Sequence, residues 1–131
     1  MSHLLKITAD RHVETLAWND DEDSLPQLYR ALSTPTIAVD MAEPAPHGRG
    51  DHITVWADEE GYRHNAPLNL YASAYLNRPV VGTVVITAFN PRTGDTHGLT
   101  DEQLREEEDY LIRAVTMFIA RVGAGHILTD A

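Results

Sequence analysis

Apolar and polar residues alternate along several short stretches of the chain, the period expected of strands that bury one face. Leu4–Trp18 contains two such runs in succession and predicts a hairpin. Val80–Phe89 is apolar on one face and mixed on the other, which predicts a strand in the middle of a sheet. Shorter runs predict three more strands: Ile37–Met41, and a second hairpin formed by Ile53–Ala57 and Tyr62–His64.

Two other stretches repeat apolar residues at the spacing of a short helix. Ser24 is predicted to cap the first helix, which Pro35 ends, because proline disfavours helical backbone in the residue before it. Pro67 is predicted to occupy the first position of the second helix, which closes near Asn77. Glu43–Gly50 lies between the two, contains two prolines and two glycines without periodicity, and predicts a loop.

A long amphipathic helix is predicted over residues 100–123. Thr100 and Gln103 form the capping box that begins it, since each side chain can bond the backbone N–H of the other. Gly123 and Gly125 are expected to end it. Seven apolar residues share one stripe of this helix: Leu104, Leu111, Ile112, Val115, Phe118, Ile119 and Val122.

Two glutamates interrupt this stripe, with Glu108 inside it and Glu107 near its edge. A buried unpaired carboxylate is costly, so the first turns are expected to overhang the domain while the turns from Leu111 dock. The stripe then has three possible roles: packing on its own sheet, pairing with a second copy in a homodimer, or holding a partner. The candidate partner or dimer surface comprises Glu107, Glu108, Leu111, Val115, Phe118 and Ile119.

These elements predict a single domain over residues 1–131, of the α+β class, with a mostly antiparallel sheet, two short helices and one long C-terminal helix on one face of the sheet. No membrane span is expected, because the apolar part of the long helix is shorter than the ~20 residues a span needs and contains Arg113. The amino terminus lacks the basic and apolar regions of a signal peptide, so we expect a cytoplasmic protein.

The net charge of −10, from 20 acidic and 10 basic residues, opposes binding to nucleic-acid backbones and to anionic lipid. The chain has no cysteine, so thiolate catalysis and sulfur-based zinc sites are excluded. It also lacks a Gly-x-Ser-x-Gly elbow and a phosphate-binding Gly-x-x-x-x-Gly-Lys loop, and Lys6 is its only lysine. We therefore expect a non-enzymatic protein that needs no cofactor.

Polar residues gather where the second predicted hairpin meets the second helix, and they could receive a small anion or a nucleotide metabolite. They are Tyr62, Arg63, His64, Asn65 and Asn69. The alternative is structural, with Asn65 capping the helix and Asn69 satisfying backbone groups.

Two further clusters have a possible function. His47–His52 carries two imidazoles and a carboxylate, but not at a helical spacing that would point two ligands one way, and we expect a polar loop there and no metal site. The acidic runs Asp20–Asp23, Asp58–Glu60 and Glu106–Asp109 could imitate DNA phosphates, or be solvated loops and a helix start favoured by the dipole.

Asp58–Ala72 followed by Val81–Thr87 resembles the centre of the domain-of-unknown-function family numbered 3846. The shared pattern is an acidic turn with glycine, a Pro-x-Asn step into a short helix, and a glycine-led hydrophobic strand. Asp95–Glu102 resembles the tail of such proteins. The resemblance covers residues 4–102, with the long helix as an extension, and it transfers no catalytic residue. Members occur in actinobacteria, plasmids and phages, which implies an accessory protein of a mobile element or phage.

The leading hypothesis is therefore a non-enzymatic accessory protein, encoded by a phage or mobile element, that binds a host protein in the host cytoplasm. The second hypothesis is small-ligand or nucleotide-metabolite binding at the Tyr62–Asn69 turn. The third is an acidic inhibitor that imitates DNA.

Overall fold

The computed structural model describes the backbone of residues 2–32, 41–44, 52–57 and 65–130, and the side chains of residues 2–32, 52–57 and 65–121. Strands and helices follow one another along the described chain as β1 His3–Ile7, β2 Val13–Ala17, α1 Ser24–Leu32, β3 Met41–Pro44, β4 Ile53–Ala57, α2 Leu70–Leu76, β5 Val84–Phe89, β6 Thr96–His97 and α3 Asp101–Asp130.

The strands form one sheet in the order β2-β1-β5-β4-β3, and the short β6 pairs with β5 as well. Every pairing between described strands is antiparallel. The predicted α+β class, with a mostly antiparallel sheet and a long C-terminal helix, is confirmed. The predicted first hairpin is confirmed too, since β1 and β2 pair along their full length from His3–Ala17 to Ile7–Val13.

β5 is the central strand, as its sequence predicts. It pairs with β1 on one side and with β4 on the other, and Val84–Ala88 are all buried. The strand begins at Val84 rather than at the predicted Val80. Gly82 has a φ of +76°, which bends the chain just before the strand, and Val81 bridges to Leu68 instead.

Helices cover both faces of the sheet, and the expectation that they share one face is wrong. α2 and α3 cover the face that presents Leu5, Ile7, Val55, Val84 and Ile86. α1 covers the other face, where its Leu28, Ala31 and Leu32 pack with Leu4, Trp18 and Val85. Consecutive strand residues point to opposite faces, so the unbroken apolar run of β5 supplies side chains to both layers.

The second predicted hairpin is replaced by a different pairing. β4 lies between β5 and β3, so the place expected for Tyr62–His64 is taken by Met41–Pro44. Tyr62–His64 and Ile37–Asp40 lie outside the described residues. The assignment of Glu43 and Pro44 to a loop is wrong, because both belong to β3. β3 is at the end of the sheet order, where a proline without an N–H is tolerated.

The two short helices begin elsewhere than predicted. α1 includes Ser24, whose hydroxyl donates to the carbonyl of Thr96 (3.4 Å) rather than capping the helix. α2 starts at Leu70, three residues after Pro67. It closes near Asn77 as predicted, since its last residue is Leu76 and Asn77 is its C-cap, in a left-handed conformation. The Pro67 carbonyl instead accepts a hydrogen bond from the Gly82 N–H (2.9 Å), just before β5. This tertiary contact outweighs the local preference of Pro67 for the first position of a helix.

The capping box of α3 is confirmed by two hydrogen bonds. The Thr100 N–H donates to Gln103 Oε1 (3.0 Å), and the Gln103 N–H donates to Thr100 Oγ1 (3.1 Å). The predicted end at Gly123 and Gly125 is wrong, because the helix runs on to Asp130. A glycine inside a helix costs only about 1 kcal/mol relative to alanine and does not by itself end one.

Candidate partner-binding site

The packing of α2 against α3 is centred on a buried polar pair. The Tyr75 hydroxyl donates to Glu107 Oε1, and Glu107 is only 1% exposed. The Tyr110 ring meets the Tyr75 ring edge-on, with centroids 5.2 Å apart and planes at 86°. A hydrogen-bonded carboxylate can be buried where an unpaired one cannot, so the start of α3 docks on α2.

The expectation that the first turns of α3 overhang while later turns dock is wrong, and the order is the reverse. Leu104 and Leu111 pack into the core with Glu107. Beyond Leu111 the helix is much more exposed, with Ile112 at 62% and Ile119 at 60%. We call residues 101–111 proximal α3 and residues 112–121 distal α3. The error came from treating Glu107 as unpaired, since its partner is 32 residues away in sequence.

The structure separates the six residues of the candidate partner or dimer surface. Glu107 and Leu111 are buried inside the domain and are not available to a partner. Glu108, Val115 and Phe118 are half-buried on α3. Ile119 is exposed. The apolar stripe of α3 is wider than the part of the helix that the rest of the domain covers. Some residues of the stripe are therefore buried in the core, and the others lie on the surface.

A groove of about 680 Å³ lies between α2 and distal α3, and we call it the α2–α3 groove. Its lining is mostly apolar and includes Leu68, Leu70, Ala74, Pro79, Met117 and Phe118. Its polar groups include the side chains of Arg78, Tyr110 and Arg121. A smaller hollow of about 360 Å³ lies on the other side of α3, between the helix and β2, with Val13, Glu108, Ile112 and Val115 in its wall.

Charge is divided sharply along α3. Proximal α3 has six acidic residues and one basic residue, a net charge of −5, whereas distal α3 has Arg113 and Arg121 and no acidic residue. In a chain of net charge −10, distal α3 is therefore locally positive. Sequence reasoning did not select Met117, Arg78 or Arg121. The absence of acidic residues from 110 to 121 is the signal in the sequence that could have identified this half of the helix.

In the described part of the Tyr62–Asn69 turn, residues 65–69, one residue lies in the interior of the fold. Asn69 is fully buried and caps α2: its Oδ1 accepts from the Ala72 N–H (3.0 Å), and its Nδ2 donates to the carbonyls of Ile7 (3.0 Å) and Gly82 (2.8 Å). Its amide is thus used within the fold. Asn65 is exposed in a turn with a φ of +54° and does not cap the helix. Tyr62, Arg63 and His64 lie outside the described residues.

The acidic runs and histidines are placed as follows. Asp20–Asp23 form an exposed turn before α1. In Glu106–Asp109 the four carboxylates are dispersed, because Glu106 and Asp109 are exposed whereas Glu107 is buried. Asp58–Glu60 and residues 47–51 of the histidine-containing loop lie outside the described residues. Across the described ranges, no three His, Asp or Glu side chains are grouped so that they could hold a metal ion.

None of the described helices combines the length and apolar character needed to cross a membrane. The family model described as "Domain of unknown function (DUF3846)" matches residues 2–112. No curated protein and no solved structure matches the chain. The family match therefore ends at Ile112, where α3 changes from docked to exposed.

Proposed function

We propose that this chain, which belongs to the DUF3846 family, is a non-enzymatic accessory protein that binds a host protein through distal α3 and the α2–α3 groove. One observation carries the proposal. Distal α3 exposes Ile112, Met117 and Ile119 at 62%, 56% and 60%, and it has no carboxylate in a strongly acidic chain. Exposed apolar residues concentrated on one element are typical of an interaction surface.

The arrangement of α3 supports this proposal. The helix is 30 residues long, about 45 Å, and its proximal part is fixed by the Tyr75–Glu107 hydrogen bond and the core contact of Leu111. A rigidly fixed helix presents its distal side chains in a constant arrangement, so little conformational entropy is lost when they bind. The resemblance to proteins of phages and mobile elements favours a host protein as the partner.

Binding of a small ligand at the Tyr62–Asn69 turn is less well supported. The Asn69 side chain is buried, and its oxygen and nitrogen bond to three backbone groups of the fold. A ligand could contact this amide only by breaking those hydrogen bonds, which would cost about 1–3 kcal/mol for each buried group left without a partner.

A capture experiment tests the proposal. The tagged full chain is incubated with host lysate beside the double variant Met117→Glu/Ile119→Glu and the control Arg113→Glu/Ala120→Glu. Both variants place two carboxylates at exposed positions of distal α3, but Arg113 and Ala120 line neither the groove nor the hollow beside β2. We expect one host protein, identified by mass spectrometry, to be retained by the wild type and the control and lost by the first variant. Equal recovery by all three chains, or none above the tag alone, would contradict the proposal.

A further inference from the structure

β2 ends one side of the sheet, and its outer edge has no neighbouring strand in the described part of the chain. The sheet order gives β2 one neighbour, β1, and antiparallel neighbours exchange hydrogen bonds through alternate residues. His12, just before β2, accepts from the Thr8 N–H (2.9 Å), and Trp18, just after it, donates to the Ser2 carbonyl (3.0 Å). The even-numbered positions therefore bond toward β1. The backbone groups of the odd-numbered positions point outward, and these are Val13, Thr15 and Ala17.

This edge lacks the devices that commonly prevent further strands from pairing, which are proline, charge and bulges. Its three outward-bonding residues are uncharged, and the register of β2 with β1 is unbroken. Glu14, the one charged residue of β2, lies 3.8 Å from Lys6 of β1. At the other end of the sheet order, β3 contains Pro44. The edge of β2 is therefore the better suited of the two to accept another strand.

The hollow between α3 and β2 borders the same edge. The side chains of Val13 and Thr15 line it from the sheet, and those of Ile112 and Val115 line it from the helix. Val13 is 37% exposed and Ile112 is 62% exposed. A strand added to β2 would place its own side chains beside these apolar residues and remove them from water, which is favourable.

The outward-bonding residues are arranged symmetrically about Thr15, with Val13 two residues before it and Ala17 two residues after it. A second copy of β2, turned about a twofold axis through Thr15, would lie antiparallel to the first. Thr15 would face Thr15 of the second copy, and Val13 would face Ala17 of the second copy. In such facing pairs the two residues exchange both of their hydrogen bonds, so every outward N–H and C=O of β2 is paired. β2 is thus complementary to itself.

The charges at the two ends of β2 favour the antiparallel arrangement. Arg11 is exposed in the turn before the strand, and the acidic turn Asp20–Asp23 follows the strand. The carboxylate of Asp10, beside Arg11, accepts from the Thr8 hydroxyl. Antiparallel pairing brings Arg11 of each copy toward the acidic turn of the other, whereas parallel pairing would bring the two acidic turns together. Contacts between exposed charges contribute little affinity, but they determine orientation.

We infer that two copies of this chain associate through β2, with Thr15 facing Thr15 of the second copy, and form one continuous antiparallel sheet. The twofold axis is perpendicular to the sheet, so the hollows of both copies lie on the same face, with Ile112 in the wall of each. The α2–α3 groove is on the other side of α3 and stays open, so this inference does not rest on the proposed function. A strand of another protein is the rival occupant, and it would leave the isolated chain monomeric.

Disulfide crosslinking tests the interface and its register, because the chain has no cysteine of its own. Facing residues of a hydrogen-bonded pair have Cα atoms about 5.5 Å apart, which a disulfide can span. Thr15→Cys should therefore form a covalent dimer in a glutathione redox buffer, read on a non-reducing gel. Ala17→Cys is the matched control, since it lies on the same exposed edge but roughly 14 Å from its counterpart in the second copy. It should crosslink at least about tenfold more slowly alone, and readily when mixed with Val13→Cys.

Sedimentation velocity over a range of protein concentrations measures the association without a crosslink. We expect a reversible dimer of the wild type and of Thr15→Val, which keeps the backbone N–H. Thr15→Pro removes this donor from both copies and should weaken the Kd of the dimer at least about tenfold. The N–H points away from β1, so the proline should leave the fold intact, which circular dichroism checks.

Three results would overturn the inference: a wild type that stays monomeric at every concentration, equal Kd values for Thr15→Val and Thr15→Pro, or equal crosslinking of Thr15→Cys and Ala17→Cys. If Thr15→Pro does not fold, the crosslinking comparison decides, because neither cysteine variant removes a backbone donor.

Discussion

The Tyr75 hydroxyl of α2 donates to the Glu107 carboxylate of α3, and both side chains lie inside the domain, at 0% and 1% exposure. This one contact explains why an acidic helix start docks on a hydrophobic core. It also directs the more apolar second half of the helix outward, where distal α3 forms one wall of the α2–α3 groove.

Tyr75→Phe should reduce the free energy of unfolding by about 1–3 kcal/mol, because Glu107 stays buried and loses a hydrogen-bond donor. Glu107→Gln should cost less, since its amide oxygen still accepts from Tyr75. Urea denaturation followed by circular dichroism measures both. Tyr71→Phe, at a half-buried tyrosine on the same helix, is the control and should change stability by less than about 0.5 kcal/mol. Equal losses for Tyr75→Phe and Tyr71→Phe would show that the buried pair contributes little.

Asn69→Ala should be among the most destabilising substitutions of a polar residue in this chain. It removes the cap of α2, worth about 1 kcal/mol, and leaves the carbonyls of Ile7 and Gly82 without their donor, at about 1–3 kcal/mol for each buried group. We expect a loss of at least about 2 kcal/mol in chemical denaturation. Asn65→Gly is the control and should be close to neutral, because Asn65 is exposed and has a positive φ that glycine adopts readily. A stable, fully helical Asn69→Ala protein would contradict this role.

Gly98→Ala should destabilise the junction between β6 and the end of β2. A Cβ at Gly98 would lie 2.9 Å from Cβ of Trp18 and 2.5 Å from Cβ of Ser2, closer than carbon atoms approach without a shift. Overpacking of this kind costs about 1–3 kcal/mol, and the fluorescence of the buried Trp18 should change with it. Gly94→Ala separates backbone strain from crowding, since Gly94 has a φ of +77° with open space around it. It should cost about 1 kcal/mol and leave Trp18 unaffected.

Acid should weaken the fold partly through Asp20. The Ser2 hydroxyl donates to its Oδ2 (2.7 Å) and the Gly98 N–H to its Oδ1 (3.2 Å), and these bonds lower the pKa of the Asp20 carboxyl in the folded protein. A carboxyl whose pKa is lowered by folding stabilises the fold at pH values above its unfolded pKa of about 3.9. This stabilisation is lost as the pH falls through the pKa of the folded protein.

In the Asp20→Asn variant, folding stability should therefore fall less steeply than in the wild type as the pH is lowered from about 5. Ser2→Ala should also reduce this dependence of stability on pH. Thermal denaturation at a series of pH values measures this slope. Part of the slope should persist, since hydrogen bonds from Thr8 and His3 also lower the pKa values of Asp10 and Asp101. An Asp20→Asn protein with the full acid sensitivity of the wild type would show that this carboxyl is not coupled to folding.

Features set by neighbouring residues were predictable from the sequence. The alternation in Leu4–Trp18 predicts the first hairpin, and Thr100 and Gln103 form the predicted capping box of α3. The apolar run of β5 lies in the middle of the sheet, as its sequence predicts. Each of these signals lies within one element or one turn, where backbone geometry alone decides which groups meet.

Features that depend on distant partners were decided only by the tertiary structure. The place of β3 beside β4, the start of α2 after the Leu68–Val81 bridge, and the burial of Glu107 all require contacts between separate elements. A helical stripe shows which residues are apolar but not which of them a neighbouring element will cover. The sequence determined that α3 would be long and amphipathic, and the hydrogen bond from Tyr75 decided which half of it is core and which half is surface.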